Sequence, residues 1–239
     1  MAQATGTSAW LPGVPTPRLE LYRRSGYMMP DTVQATRGCK RVCDFCTVPV
    51  VWPQYYRRPV GDVIKDIKAI RGRAFVFNDV SLVDDPAYAR GLFTAMLPLR
   101  KKWGGLATLD IVQRPDLLDL MARSGCVYLS FGFESTNQPT LQFIHKGFNR
   151  PQDYSSVMRE MHSRGISVQG CFVFGFDHDD QSVFRATVEQ VLDMKVDIPR
   201  YSIYTPYPGT ESATRGLADG KGVIGARQEQ GGVTTTSRE

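Results

Sequence analysis

Six apolar, β-prone runs recur at 32–36, 74–77, 106–112, 126–133, 166–176 and 201–204, and segments of helical period fill most of the intervals between them. One interval carries Val63, Ile64, Ile67 and Ile70, and a later one Tyr154, Val157, Met158 and Met161. Residues three and four apart share a helix face, so each segment can bury one stripe against a sheet. Pro115 and Pro151 stand where helices should begin, and Gly125 and Gly165 where they should end. Strands that alternate with helices pair in parallel through right-handed crossovers. The near-continuous apolar runs at 126–133 and 166–176 suit a sheet covered or closed on both faces. The expected fold is α/β with six parallel strands. Periodicity leaves two forms open, a partial (β/α)6 barrel and a flat doubly wound sheet.

The flanks lack this rhythm. Residues 1–30 are rich in Pro, Gly, Ser and Thr and read as a linker or truncated edge, while 31–210 form the expected core domain. Residues 211–239 hold six glycines and almost no large apolar side chain, so a flexible, disordered tail is expected there. With 42% hydrophobic and 22% charged residues, the chain has the balance of a globular protein. No run of 18 apolar residues is present, so no membrane span is expected. The first residues lack a basic start, and Pro12, Pro15 and Pro17 interrupt any apolar segment, which argues against a secretory signal. A cytoplasmic protein is expected. The net charge of +5 is spread along the chain, and its short basic clusters read as solvated faces, so nucleic-acid binding is not expected.

The cysteines carry the chemistry. There are five, and Cys39, Cys43 and Cys46 form a C-x3-C-x2-C directly after the first predicted strand. A disulfide framework would be more evenly spaced, and the motif lies at a strand's carboxyl end, where α/β sites form. Three thiolates this close suit three irons of a cubane cluster, leaving the fourth iron open to a substrate or cofactor. The alternative is a zinc knuckle completed by His145, His162 or His178. Cys126 and Cys171 sit alone in apolar runs and read as core residues.

The motif, its place after the first strand and the number of β/α units resemble the radical SAM superfamily, and most of all members that carry a cobalamin-binding domain in front. The resemblance covers roughly 30–210: TRGCKRVCDFCTVPVVWPQYYRRP is similar to their cluster loop, and FGFES, FVFGFDHDD and TPYPGT to their later strand ends. It implies a 4Fe–4S cluster on Cys39, Cys43 and Cys46, with S-adenosylmethionine (SAM) chelating the unique iron. Phe45 would lie beside the adenine and Asp79 against the SAM amino group. Glu134 and Ser135 would take the ribose, Lys146 the SAM carboxylate, and Gly175 would admit adenine close to backbone. Pro206, Pro208 and Gly209 would shape the last loop. The implied activity is reductive cleavage of SAM to a 5′-deoxyadenosyl radical, fed by an external flavodoxin- or ferredoxin-type donor and acting on an unknown substrate.

Cobalamin-dependent methyl transfer is one form of this reading and tRNA methylthiotransfer another. A non-catalytic or degenerate iron–sulfur or zinc protein is the rival, since 78–81 reads Asn-Asp-Val-Ser where similar proteins carry two acidic residues and an Asn. Only 38 residues precede Cys39, so this chain alone is expected not to bind cobalamin. Glu160, His162 and Gly165 imitate a cobalamin-ligand motif but sit at the end of a predicted helix, where Gly165 is a C-cap. Trp52, Tyr55 and Tyr56 would line the site or shield the cluster from water.

Overall fold

The computed structural model describes residues 9–10, 13–21, 23–27 and 29–218. Among the described residues nine strands appear in chain order: β1 (Ala9–Trp10), β2 (Thr32–Val33), β3 (Thr36–Arg37), β4 (Tyr56–Arg57), β5 (Ala74–Phe77), β6 (Lys102–Leu106), β7 (Cys126–Glu134), β8 (Ser167–Phe174) and β9 (Ile198–Ile203). The α-helices are α1 (Val48–Val51), α2 (Val60–Ala69), α3 (Pro86–Met96), α4 (Pro115–Arg123), α5 (Gln138–Phe143), α6 (Tyr154–His162), α7 (Ser182–Met194) and α8 (Glu211–Ala218). Strands β2, β5, β6, β7, β8 and β9 make one parallel sheet in strictly sequential order. A doubly wound sheet must reverse its order at a switch point. Here each crossover steps the same way, so right-handed connections place the helices on one face. The sheet is a partial barrel. Strands β1, β4 and β3 form a small second sheet beside the cysteine loop.

The core lies between the sheet and these helices. Along β8 buried residues alternate with half-buried ones, and Val168, Phe172 and Phe174 point into the core. Phe133 stacks on Phe172 at 5.4 Å and meets Tyr154 of α6 edge-on at 4.6 Å. Trp103 stacks on Phe93 of α3 at 5.3 Å. Each fully buried aromatic of this kind contributes about 1.5–3 kcal/mol. On the opposite face Tyr128, Ser130, Gln169 and Cys171 form a polar ladder, with the Tyr128 hydroxyl 2.9 Å from Gln169 Oε1.

Four expectations need correction. The third strand is Lys102–Leu106, while residues 109–112 of the expected 106–112 run lie in a 3-10 helix, Leu109–Gln113. Gly104 and Gly105 look like breakers, but a Cβ at Gly104 would stand 2.8 Å from the Tyr128 ring, so this strand needs a glycine to pass its aromatic neighbour. The first run splits into β2 and β3 because Asp79 accepts the amide protons of Ala35 and Thr36. The last strand begins at Ile198 rather than at 201. Finally, residues 211–218 form a helix and not the start of a disordered tail. Thr210 caps it, accepting the Ala213 amide at 3.2 Å. The rest of the expected tail lies outside the described residues. No helix among the described residues is long and apolar enough to cross a membrane.

Candidate metal and cofactor site

The loop after β3 carries Cys39, Cys43 and Cys46, all free and half-buried. Local turns shape it: the Cys46 amide donates to the Cys43 carbonyl at 3.1 Å, and the Arg41 and Val48 amides approach Cys39 Sγ and Cys46 Sγ at 3.4 Å. Asp84, on the segment between β5 and α3, accepts the Lys40 amide at 2.7 Å and the Ser81 hydroxyl at 2.6 Å. A cleft of about 320 Å³ opens onto Cys43 and Cys46, walled by Val42, Pro49, Val50, Gly209 and Thr210.

Burial pushes the Cys39 thiol up to about 12, with the Asp84 carboxylate adding to it. Burial likewise raises Cys43 to about 11, against the opposing pull of the Lys146 ammonium. Cys46 is raised for the same first reason. Three thiols held neutral by burial ionise when a metal replaces their protons. Among the described residues, no group of three or more His, Cys, Asp or Glu is placed to hold a single metal ion. Three thiolates on one short loop suit a cluster, whose irons each take a separate thiolate. The donor set fits the iron–sulfur reading.

Lys146 and Glu134 meet beside this loop. Glu134 ends β7 in the left-handed region at φ 66°, and its Oε1 accepts from Lys146 Nζ at 2.7 Å. A Cβ on Gly132 would stand 2.2 Å from that oxygen and 2.7 Å from the ammonium, so the glycine leaves room for the pair. Burial alone would lower the Lys146 pKa, but Glu134, Cys43 and Cys46 outweigh it and raise it. Phe45, between the cysteines, meets Phe176 edge-on at 6.3 Å, and Phe176 meets Tyr204 at 4.8 Å. Gly175, at φ 96°, turns the chain after β8, with its amide on Asp179 Oδ2 at 2.9 Å. Cys43, Cys46, Lys146 and Glu134 are thus gathered at one place, with Phe45 on the same loop.

Other residues are placed differently. Asp79 is buried, and its carboxylate accepts from the Ala35 amide at 3.1 Å, the Thr36 amide, and the Thr36 hydroxyl at 2.6 Å. Desolvation raises its pKa to about 6 despite these bonds. It anchors the approach to the cysteine loop. Ser135 is buried, and its hydroxyl accepts the Asn137 amide at 3.0 Å, a loop-capping contact. His162 pairs with Asp197 at 2.9 Å, beside the start of β8, at the far end of the strands from the cysteines. Tyr55 is buried, its hydroxyl on the Ser81 carbonyl at 3.2 Å, while Trp52 and Tyr56 pack edge-on at 5.9 Å, an arrangement that walls the loop.

Sequence reasoning missed two groups. Asp84 was hidden in Val83-Asp84-Asp85-Pro86, where Asp85 is the readable helix cap, accepting the Tyr88 amide at 3.0 Å. Asp44 is buried between two cysteines, its Oδ2 bonded at 2.6 Å to Arg215 of α8. Thr210-Glu211 was the available signal for that helix, a capping residue followed by an acidic first turn.

Comparison with known proteins agrees with this geometry. Residues 33–191 match the radical SAM superfamily. The bacteriochlorophyllide d C-12(1)-methyltransferase of Chlorobaculum tepidum is 35% identical over 185 residues, covering 74% of this chain and 41% of the relative. The anaerobic magnesium-protoporphyrin IX monomethyl ester cyclase of Cereibacter sphaeroides is 25% identical over 183 residues, covering 73% of this chain and 30% of the relative. The chain thus spans well under half the length of these relatives. Among solved structures, the radical SAM methyltransferase TsrM of Kitasatospora setae, with cobalamin and a [4Fe-4S] cluster bound, superposes with a TM-score of 0.72 at 17% identity, covering 79% of this chain and 39% of that one. Coproporphyrinogen III oxidase (HemN) of Escherichia coli gives 0.58 at 14% identity, covering 77% and 46%. The sequential parallel sheet, the cysteine loop at its carboxyl edge and the match over most of the core together make this chain a member of the radical SAM superfamily.

Proposed function

We propose that the chain is the catalytic core of a radical SAM enzyme whose cluster is held by Cys39, Cys43 and Cys46. One observation carries this: the three thiols share a strand-end loop with Phe45, and the Lys146–Glu134 pair lies against two of them. When bound, such a cluster supplies the electron that cleaves SAM reductively and releases the radical that abstracts hydrogen from substrate. The chain's own part is to bind and to exclude water. Glu134 offers a carboxylate to the ribose hydroxyls, and Lys146 offers its ammonium to the SAM carboxylate. Phe45 and Gly175 flank the adenine, the former supported by Phe176. Asp79 has no place among these contacts, because both of its oxygens serve residues 35–36. Ser135 supports the turn that presents Glu134.

An external one-electron donor of flavodoxin or ferredoxin type reduces the cluster in this reading. Methyl transfer is the favoured overall reaction, supported by the relative in Chlorobaculum tepidum. The one cobalamin-like histidine, His162, is occupied by Asp197. His162 also lies at the far end of the strands from the cysteines, so any cobalamin used by the whole enzyme is placed away from this histidine in our reading. The test is anaerobic reconstitution with iron and sulfide, followed by dithionite and SAM. Formation of methionine and 5′-deoxyadenosine is the expected result. A reconstituted cluster that leaves SAM intact would favour a non-catalytic relative, a reading to which the altered 78–81 segment gives some support.

A further inference from the structure

The turn between Cys43 and Cys46 contains two residues, and the first of them, Asp44, is gripped at three points. Its amide donates to the Ile144 carbonyl at 3.3 Å, its carbonyl accepts the Ser212 amide at 3.1 Å, and its carboxylate accepts from Arg215 at 2.6 Å. The Asp44 side chain is 0% exposed and that of Arg215 28%. Its second oxygen, Oδ1, has no partner among the described residues. A carboxylate this deep is costly without a counter-charge, so the position of Asp44 depends on α8 being in place. Arg215 in turn lies over the Phe143 ring at 4.2 Å and meets the Tyr204 side chain. Tyr204 packs on Phe176 and Phe176 on Phe45, the second residue of the same turn. The contacts close a ring around the two residues that separate the cysteines.

We propose that Asp44 and Arg215 form a positioning clamp through which α8 holds the Cys43–Cys46 turn in the shape a cluster requires. The inference rests on the cluster assignment above, but the clamp can be read without a cluster. In this proposal both act through the cysteines, Asp44 from the wall of the cleft that opens onto Cys43 and Cys46. In this picture α8 is part of the cluster site even though it lies beyond the last strand, and any ligand or neighbouring domain that moves α8 would reach the cluster through Arg215.

Hydrogen exchange on the cluster-free protein tests the clamp directly. Arg215→Ala should speed exchange of the Asp44, Cys46 and Ser212 amides about tenfold, the scale of losing a hydrogen bond to a buried charge. Arg215→Lys should restore most of the protection, and Leu217→Ala on the exposed side of α8 should match wild type. After reconstitution, Arg215→Ala should lose its cluster to a chelator about tenfold faster, as follows from the same opening of the turn. The electron paramagnetic resonance signal of its reduced cluster should broaden, with Arg215→Lys again intermediate. Asp44→Asn serves as the second variant if Arg215→Ala folds poorly. Unchanged exchange at Asp44 and Cys46 would overturn the clamp, and so would acceleration spread over β5–β8 instead of confined to the turn and α8. A wild-type protein that shows the expected exchange pattern but assembles no cluster would overturn the functional assignment and leave the clamp standing.

Discussion

The cysteine loop has little regular secondary structure and is anchored from several elements, whereas β9 and α7 are fully regular and largely bare. Asp84, Asp79, Ile144 and Arg215 all reach into the loop or its approach. At the other edge every residue of β9 is exposed, and Phe184, Val188 and Leu192 form an uncovered stripe along α7. Regularity and fixation are thus separate properties. Strand β9 satisfies its backbone on one side through β8, while the irregular loop and its approach are held by the Asp79 and Asp84 carboxylates accepting backbone amides, by the Ile144 carbonyl and by Arg215 on Asp44. Among the described residues the sheet edge and the apolar helix face carry few anchors, and the loop carries many.

The largest effect should come from the loop's own thiols. Replacing Cys39, Cys43 or Cys46 with Ala should abolish the roughly four irons and four sulfides expected per reconstituted chain. Cys126→Ala and Cys171→Ala should leave that count unchanged, because neither belongs to the loop. Stoichiometric zinc without sulfide in the wild type would collapse the contrast between the two regions.

Next comes the anchor beneath the loop. Asp79→Ala should destabilise the fold by about 3 kcal/mol in urea denaturation, since it strands buried donors at Ala35 and Thr36. The same carboxyl gives a pH signature. Burial raises its folded pKa to about 6, above the ordinary carboxylate range, so the folded state holds the proton more tightly. Its contribution to stability is therefore present at low pH and falls as pH rises from about 4 to 6. Asp79→Asn should flatten the stability slope over that interval, and an unchanged slope would assign it to other groups.

A smaller effect is expected beside the loop. Glu134→Ala should weaken SAM binding about ten- to a hundredfold while iron content stays intact, because it removes an acceptor and not a ligand. Unchanged affinity by calorimetry would remove Glu134 from the ribose contact. Smallest of all is Leu192→Glu on the bare helix, whose side belongs to a residue already 69% exposed. Its unfolding free energy should change by less than about 0.5 kcal/mol. A larger loss would mean that this face is covered in solution, and the two regions would then be more alike than they look.

Much of the fold was legible because its signals are local. The alternating runs and the prolines that open α4 and the 3-10 turn before α6 are properties of consecutive residues read against periods of two and 3.6. The third strand was misplaced for a physical reason: glycines in isolation signal a break, and only the Tyr128 ring packed on Gly104 turns them into strand residues. Helix α8 was missed because its apolar content is low and its stabilisation comes from Thr210 and from Arg215 on Asp44.

The sequence by itself determined the chemistry this protein can host, since three thiols spaced over eight residues are a donor set in any fold that turns the chain there. It also determined the order of the β/α units, and with right-handed crossovers the direction in which they wind. Tertiary structure alone decided how the polar residues around the loop pair with one another. Asp79 faces backbone 43 and 44 residues away, Lys146 meets Glu134 across 12, and Arg215 meets Asp44 across 171. Such pairings carry no local period, because each depends on where the finished sheet places its strand ends, and only the folded chain brings those ends together.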